Sequence, residues 1–205
     1  MASQAPARRR TQEERRAATR ATLLEATIHC LGREGYAGTS ISAITQEAGV
    51  SRGALLHHFP TKNELIAHTI VYFYRQRLER FKQHLLGADT ATLSLEDRLR
   101  VLKKDFATWY HTALEIEVAM RTNEEIAAIE QSLAARDHEE MSQEYEQLFP
   151  EFVATPFARE LVGIACYLMR GLAANENDDK VDRQFEVCAS MIRSYLDQVT
   201  DPANK

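Results

Sequence analysis

The sequence contains little glycine or proline, the two residues that most often interrupt regular structure. Only 8 Gly and 5 Pro occur in 205 residues, whereas Ala, Leu, Glu, Arg and Gln, which favour helices, recur throughout. No segment of useful length alternates apolar and polar residues as a half-buried strand does. We therefore predict an all-α fold of about nine helices. One of them is capped by Ser94 and extends over 95–122.

Cysteine is scarce, and long apolar runs do not occur. Cys30, Cys166 and Cys188 lie far apart and form no C-x-x-C pair, which predicts free thiols rather than a zinc finger or a disulfide framework. The longest apolar run, "TIVYFY", is far shorter than the roughly 20 residues that span a bilayer. The start, "MASQAPARRR", has no apolar stretch behind its positive charges. We expect a cytoplasmic protein that does not enter a membrane.

The net charge of -5 is distributed unevenly along the chain. Residues 1–62 carry nine Lys or Arg against five Asp or Glu, a balance of +4, and the remaining residues carry -9. A basic N-terminal block joined to an acidic segment predicts two functions, the first of them with a polyanion. We therefore divide the chain into a head, residues 1–62, and a body, residues 63–205, with a helix over 61–86 connecting them.

The stretch "AGVSRGALLHHF", from Ala48 to Phe59, contains a signal that ends one helix and a signal that begins another. Gly49 can adopt the positive φ that ends a helix, and the hydroxyl of Ser51 can accept the free amides of the next. Two short helices joined by a three- to four-residue turn with glycine are typical of the helix-turn-helix, whose second helix enters the major groove of DNA.

A helical wheel predicts which side of this second helix would meet DNA. With Leu55 facing the core, Gly53 and His57 lie on the opposite face, where small side chains permit close approach to a base edge or a phosphate. No Arg, Asn or Gln points outward from the middle of the helix. Direct base readout would therefore depend on His57, Arg52 and methyl contacts with thymine.

The segment "TSISAITQEAGVSRGALLHHFPTKNELI" resembles the signature of the TetR family of bacterial one-component transcriptional regulators. That signature typically has an initial Thr, an Ile-Ala pair, A-G-V-S, a Gly, an aromatic residue, H-F, and a Lys before E-L. Two positions depart from it: Leu56 stands where a phosphate-contacting Tyr is usual, and Thr45 follows Ile44 where Ala is usual.

The resemblance implies that the head binds double-stranded DNA. Lys62 also has a physical reason to contact phosphate, because it lies in the first turn of a helix whose free amides attract anions. The Arg8–Arg10 tail is either a further DNA contact or a solvated end. The positions implied to face DNA are Thr39, Ser51, Arg52, Gly53, Ala54, Leu56, His57 and Lys62.

The resemblance further implies that the body binds a small-molecule effector. Its aromatic and Met side chains exceed what helix packing needs, which favours an apolar or planar ligand, and Glu115, Glu117 or Arg121 could select the ligand's charge. The candidate pocket residues are Phe106, Trp109, Tyr110, Met120, Tyr145 and Tyr167.

A homodimer is also implied, in which the last two helices pack against their symmetry mates and the two heads read a palindromic operator. A repressor is the favoured interpretation, and an activator is the alternative. The candidate interface residues are Leu161, Ile164, Leu168, Leu172, Phe185, Ile192 and Tyr195.

Two other classes of protein are alternatives to a regulator. An enzyme is disfavoured because the sequence has no paired H-x-x-x-H or E-x-x-H motif, no Gly-rich phosphate loop and no nucleophile elbow. His111 and Glu115 lie four residues apart, but no second pair matches them, so we expect no metal site, no cofactor and no catalytic residue. A helical adaptor that binds proteins is the remaining alternative, and salt-dependent binding to duplex DNA would distinguish it.

Overall fold

The computed structural model describes residues 11–86, 93–153, 155, 157–175 and 179–200. Within these ranges every regular element is a helix, which confirms the all-α prediction. The ten helices are α1 (Gln12–Gly38), α2 (Ile41–Ala48), α3 (Arg52–His58), α4 (Lys62–Leu86), α5 (Leu95–Ala107), α6 (Tyr110–Thr122), α7 (Glu124–Leu148), α8 (Pro150–Val153), α9 (Ala158–Ala173) and α10 (Asp179–Thr200).

Local capping contacts set several of the helix boundaries. The Thr11 side chain accepts a hydrogen bond from the backbone N–H of Glu14, and the Glu14 carboxylate accepts one from the Thr11 amide in return. Gly49 ends α2 in the left-handed region with φ 65°, and Ser51 Oγ accepts from the Ala54 amide at 3.1 Å to begin α3. These contacts satisfy backbone groups that have no partner within the helix.

Two apolar clusters meet along α1 and α4. The cluster inside the head joins α1, α2 and α3, and Leu65 from α4 completes it. Ile28 and Leu31, from the second half of α1, belong instead to the cluster inside the body. Both α1 and α4 therefore contribute to the head and to the body. The head cluster consists of Leu23, Leu24, Ala26, Cys30, Ile44, Leu55, Phe59 and Leu65.

The body is arranged around α4, which packs along α7, while α5 packs along α9. Phe81 stacks on Phe149, with ring centroids 6.1 Å apart, and Phe149 stacks on Phe152 at 5.6 Å. Partly buried ion pairs also join α4 to α7: Glu144 accepts from Arg75 at 2.6 Å and from Lys82 at 2.7 Å. None of the helices in the described ranges is long and apolar enough to cross a membrane.

The prediction of one continuous helix over 95–122 is wrong, because Thr108 and Trp109 interrupt it between α5 and α6. Trp109 has φ -138° and ψ 10°, outside the helical region, and its indole is buried. The indole Nε1 donates to the carboxylate of Asp105 at 2.9 Å, while the Thr108 hydroxyl donates to the Asp105 carbonyl at 2.8 Å. At this break the chain gives up regular helical hydrogen bonds. In return the large indole is buried and its N–H has a partner.

Candidate functional site

The face of α3 that lies opposite the core is open to solvent. Leu55 and Phe59 are buried in the head cluster, whereas Arg52, Gly53 and His57 are exposed. These positions agree with the helical wheel. Ser51 and Leu56 are also exposed, and Ala54 is half-buried beside them. A short helix therefore presents one guanidinium, one imidazole and a glycine where a groove of nucleic acid could approach.

Lys62 lies at the start of α4, next to the same surface. Its ammonium group lies 5.0 Å from the centre of the Tyr36 ring, and its partial burial lowers the pKa of the amine. The neighbouring Thr61 caps α4 by accepting from the Glu64 amide at 3.1 Å. Lys62 is therefore held at a helix N-terminus, where an anion is electrostatically favoured.

Thr39 does not face outward, so its prediction as a DNA-facing residue is corrected. The side chain is 1% exposed, and its hydroxyl donates to the carbonyl of Gly35 at 2.7 Å. Ser40, not Thr39, caps α2, because its Oγ accepts from the Ala43 amide at 3.1 Å. The physical reason for the correction is that the hydroxyl of Thr39 satisfies a carbonyl at the end of α1.

Positive groups from α1 surround the exposed face of α3. Arg16 lines a groove together with His57, His58 and one carboxylate, that of Glu13. The guanidinium of Arg20 lies 4.3 Å from the centre of the Phe59 ring. Burial lowers the pKa of His58, and the charges of His57, Arg16 and Arg20 lower it further. This positive environment favours a polyanion. Sequence reasoning missed Arg20, although its spacing of four from Arg16 places both on one helix face; Arg8–Arg10 lie outside the described residues.

A second candidate site is a cavity of about 250 Å³ in the body. Four of the six predicted pocket residues line it, namely Phe106, Trp109, Tyr145 and Tyr167. Tyr110 and Met120 do not line this cavity: Tyr110 packs edge-on against the His111 ring, and Met120 packs against the core of the body. The full lining is Tyr74, Arg77, Phe106, Trp109, Met141, Tyr145, Gly163, Cys166, Tyr167 and Arg170.

The charged groups that line this cavity are not the predicted ones. Glu115 turns towards the head, where it accepts from the Tyr36 amide, and Glu117 pairs with Arg170. Arg121 is exposed and does not line the cavity. The lining holds instead Arg170 and Arg77.

Arg77 was missed, although the sequence contains a signal for it. It continues the stripe of apolar residues Ile70, Phe73, Phe81 and Leu85 at helical spacing along α4, and all four of those side chains are buried. An arginine in a core-facing stripe is unusual, because a buried charge needs a partner.

An apolar surface is exposed along α9 and α10. Of the residues predicted there, Ile164 is 52% and Leu168 is 37% exposed, and Leu161, Leu172, Ile192 and Tyr195 are half-buried. Sequence reasoning missed Val187 and Met191, which are 58% and 67% exposed.

The prediction of Phe185 as an interface residue is wrong, because its side chain is fully buried within the body. The Arg100 guanidinium covers its ring at 4.5 Å from the centroid, and the Lys103 ammonium lies at 5.7 Å. The amphipathic pattern of α10 cannot tell a neighbouring helix of the same chain from one of a second copy.

Among the described residues, no group of three or more His, Cys, Asp or Glu side chains could hold a metal ion.

Comparison with known proteins shows the family to which the head is similar. Residues 23–69, which hold most of α1, all of α2 and α3, and the start of α4, match the model of the bacterial regulatory proteins of the tetR family. The head is therefore similar to the matching part of TetR-family proteins. The HTH-type transcriptional regulator CymR of Pseudomonas putida is 46% identical over 78 residues, which are 38% of this chain and 38% of that relative. This chain thus matches well under two thirds of that relative's length.

Solved structures share the fold of this chain at low sequence identity. The structure of a protein described as a TetR-family transcriptional regulator of Mesorhizobium loti has a TM-score of 0.65, at 15% identity, and covers 88% of this chain and 98% of that one. The structure of the multidrug binding protein EbrR in complex with imidazole has a TM-score of 0.57, at 20% identity, and covers 84% of this chain and 93% of that one.

Proposed function

We propose that this protein is a TetR-family transcriptional repressor that binds a palindromic operator as a homodimer and is released by a small-molecule effector. The observation that carries this proposal is the exposed face of α3. Leu55 anchors the helix in the head cluster, while Arg52, Gly53 and His57 stand on the side open to solvent. This is the arrangement that a recognition helix needs to enter a major groove.

Each exposed group has a role that its chemistry suits. Arg52 can donate to guanine or to a phosphate, and His57 can donate to a base edge. Gly53 has no side chain to keep the backbone away from the groove. Leu56, 38% exposed, offers methyl groups to thymine but no hydrogen bond to phosphate. Lys62 supplies a phosphate contact at the edge of the site.

The apolar surface of α9 and α10 supports a dimer. Ile164, Leu168, Val187 and Met191 expose large apolar side chains on adjacent helices. Contiguous apolar surface of this kind favours association, and a two-fold axis would bring the same two helices of a second copy against it. The two heads would then read half-sites about 34–36 Å apart.

Release by an effector follows from the path of α4. Leu65 on its first turns packs in the head cluster, and Tyr74 and Arg77 line the body cavity. Twelve residues of helix separate Leu65 from Arg77, which is roughly 18 Å at about 1.5 Å per residue. A ligand that fits the cavity better when the heads are apart must weaken DNA binding by the same factor by which DNA weakens its own binding.

The test is DNA binding by the full chain, measured by fluorescence anisotropy with duplexes that tile the intergenic DNA beside its own gene. We expect salt-dependent binding to one inverted repeat, with two protomers on each duplex. Arg52→Ala and His57→Ala should each weaken binding by about 1–3 kcal/mol. Arg136→Ala is the matched control, because this side chain is 91% exposed on α7, in the body. Absence of salt-dependent binding to every duplex, or equal losses in all three variants, would refute the proposal.

Dimerisation and the direction of regulation need separate measurements. Met191→Glu places a charge in the proposed interface, so this variant should sediment as a monomer and the parent chain as a dimer. A promoter fusion carrying the inverted repeat should give more transcript when the gene for this protein is deleted. Less transcript on deletion would favour an activator.

A further inference from the structure

Arg77 contributes to the lining of both the body cavity and a neighbouring polar cleft. No hydrogen bond or ion pair reaches Arg77 from any residue in the described part of the chain, and its Nε is buried. The guanidinium lies over the face of the Phe73 ring, 5.3 Å from the centroid. Burial and the neighbouring charge of Arg80 lower the pKa of Arg77. An arginine remains charged at neutral pH even so, and a half-buried charge whose Nε has no hydrogen-bond partner carries a desolvation cost.

The acidic groups closest to Arg77 do not relieve this cost. Asp105 and Glu25 favour its charged form through space. The Asp105 carboxylate, however, accepts from the indole of Trp109, and Glu25 accepts from the hydroxyl of Tyr72 and the amide of Gln76. The donor of Arg77 therefore remains available to a molecule that enters the cavity.

The lining as a whole has an excess of positive charge. It contains two arginines, Arg77 and Arg170, and no carboxylate. Arg170 is already neutralised by its ion pair with Glu117. Arg77 is therefore the arginine of this lining that makes no ion pair with a described residue, whereas the polar cleft that it also lines contains Glu25, Glu47 and Glu79.

We propose that the effector is an aromatic carboxylate whose anionic group pairs with Arg77. The apolar part of such a molecule would contact Phe106, Trp109 and Tyr145, which surround the same cavity. A volume of about 250 Å³ suits a single substituted ring, and a planar guanidinium matches the two oxygens of a carboxylate. This inference rests on the proposed function, because it names the chemical class of the effector.

Trp109 makes the proposal directly measurable, because it is the only tryptophan in the sequence and it lines the cavity. The probes are 4-tert-butylbenzoate, 4-tert-butylbenzamide and 4-tert-butylbenzylammonium, which share a ring and differ in charge. Titrated into the full chain near neutral pH, the anion should change Trp109 fluorescence with an affinity about tenfold or more above that of the amide. The ammonium probe should bind more weakly than the amide.

Two variants test whether Arg77 is responsible for the preference for the anionic probe. Arg77→Met keeps the length and the apolar contacts but removes the charge, so the anion and the amide should bind within about twofold of each other. Arg80→Met is the matched control. It lies one turn away, is exposed, and lines the neighbouring polar cleft but not the body cavity, so it should keep the preference. Thermal melting of each variant shows whether it is folded.

Three results would overturn the proposal. The first is an amide that binds the parent chain as tightly as the benzoate, a result that needs no variant. The second is no saturable change with the benzoate up to ~10 mM. The third is a change in Trp109 fluorescence with inorganic phosphate at the same concentrations as with the benzoate. That result would mean that the site binds free anions. Operator binding is measured without any probe, so loss of that binding refutes the proposed function and leaves the anion preference a separate result.

Discussion

The Glu115 carboxylate on α6 accepts a hydrogen bond from the backbone N–H of Tyr36 on α1, with 2.7 Å between Oε2 and N. The bond forms where Gly35, at φ 70° and ψ 173°, interrupts α1. Beside it, a Cβ on Gly32 would lie 2.7 Å from the hydroxyl of Thr112. Two glycines of α1 thus permit a close approach by α6, and this contact joins the end of α1 to the body.

Gly35→Ala should destabilise the fold by about 1–3 kcal/mol, because alanine rarely adopts this backbone conformation. The added Cβ would also lie 2.9 Å from Glu115 Oε2. Urea unfolding followed by circular dichroism measures the change. Gly53→Ala is the control, since Gly53 is helical and the nearest atom to its added Cβ is 4.0 Å away. The free energy of unfolding of Gly53→Ala should rise by up to about 1 kcal/mol. A Gly35→Ala protein as stable as the parent would show that the interruption is not strained.

Glu115→Ala should lower the free energy of unfolding by about 1–3 kcal/mol, because it leaves the partly buried amide of Tyr36 without an acceptor. Glu115→Gln keeps an oxygen that can accept the same hydrogen bond and should retain most of the stability. The same urea titration compares the two variants. Equal losses in both would mean that the charge, and not the hydrogen bond, stabilises this contact.

Leu56→Tyr should strengthen operator binding about threefold to tenfold, because it adds a hydroxyl that can donate to a phosphate from the exposed side of α3. Leu56→Phe is the matched control, since it adds the ring without the hydroxyl. Anisotropy at a fixed salt concentration gives both affinities. If the Phe variant gains as much as the Tyr variant, the ring and not a phosphate contact is responsible.

The stability of the protein should fall as the pH drops through about 6.5 because of His58 and His68. Burial is the main cause that lowers the pKa of each imidazole from 6.5, and the charge of Arg20 contributes in both. Between the lowered folded values and 6.5, the unfolded chain binds more protons than the folded one, so acidification favours unfolding.

The measurement is the free energy of unfolding at several pH values between about 5 and 8. His58→Gln combined with His68→Gln should flatten the dependence in this range. His29→Gln is a control, because His29 is exposed beside Glu47. The carboxylates of Glu47, Asp97, Glu139 and Glu144, whose pKa values are lowered, matter only at lower pH. A slope unchanged in the double variant would contradict the assignment.

Features that depend on a few neighbouring residues were predictable. The turn of Gly49 and Ser51 follows from one residue that tolerates positive φ and one that caps a helix. The outward face of α3 follows from the spacing of Leu55 and Phe59. The break at Trp109 was not predictable, because the helical pattern continues across it and the burial of the indole against Asp105 depends on the surrounding helices.

The site residues also divide into those that nearby sequence predicts and those that depend on the tertiary structure. Thr39 matches a family pattern, yet its hydroxyl is used within the head by Gly35. Phe185 has the spacing of an interface residue, yet α5 covers it with Arg100 and Lys103. Arg77 could have been noticed as a charge within an apolar stripe, but its free Nε–H could be recognised only once its neighbours were in place.

The sequence by itself determined the helical fold, the order of the main helices and the turn between α2 and α3, because these depend on propensity, periodicity and capping over short stretches of chain. Tertiary structure alone decided which charges remain unpaired, which apolar side chains remain exposed and where α6 meets α1. Those outcomes depend on contacts between residues far apart in the chain, and a pattern within one helix cannot distinguish a surface buried by its own chain from one left for DNA, a ligand or a second copy.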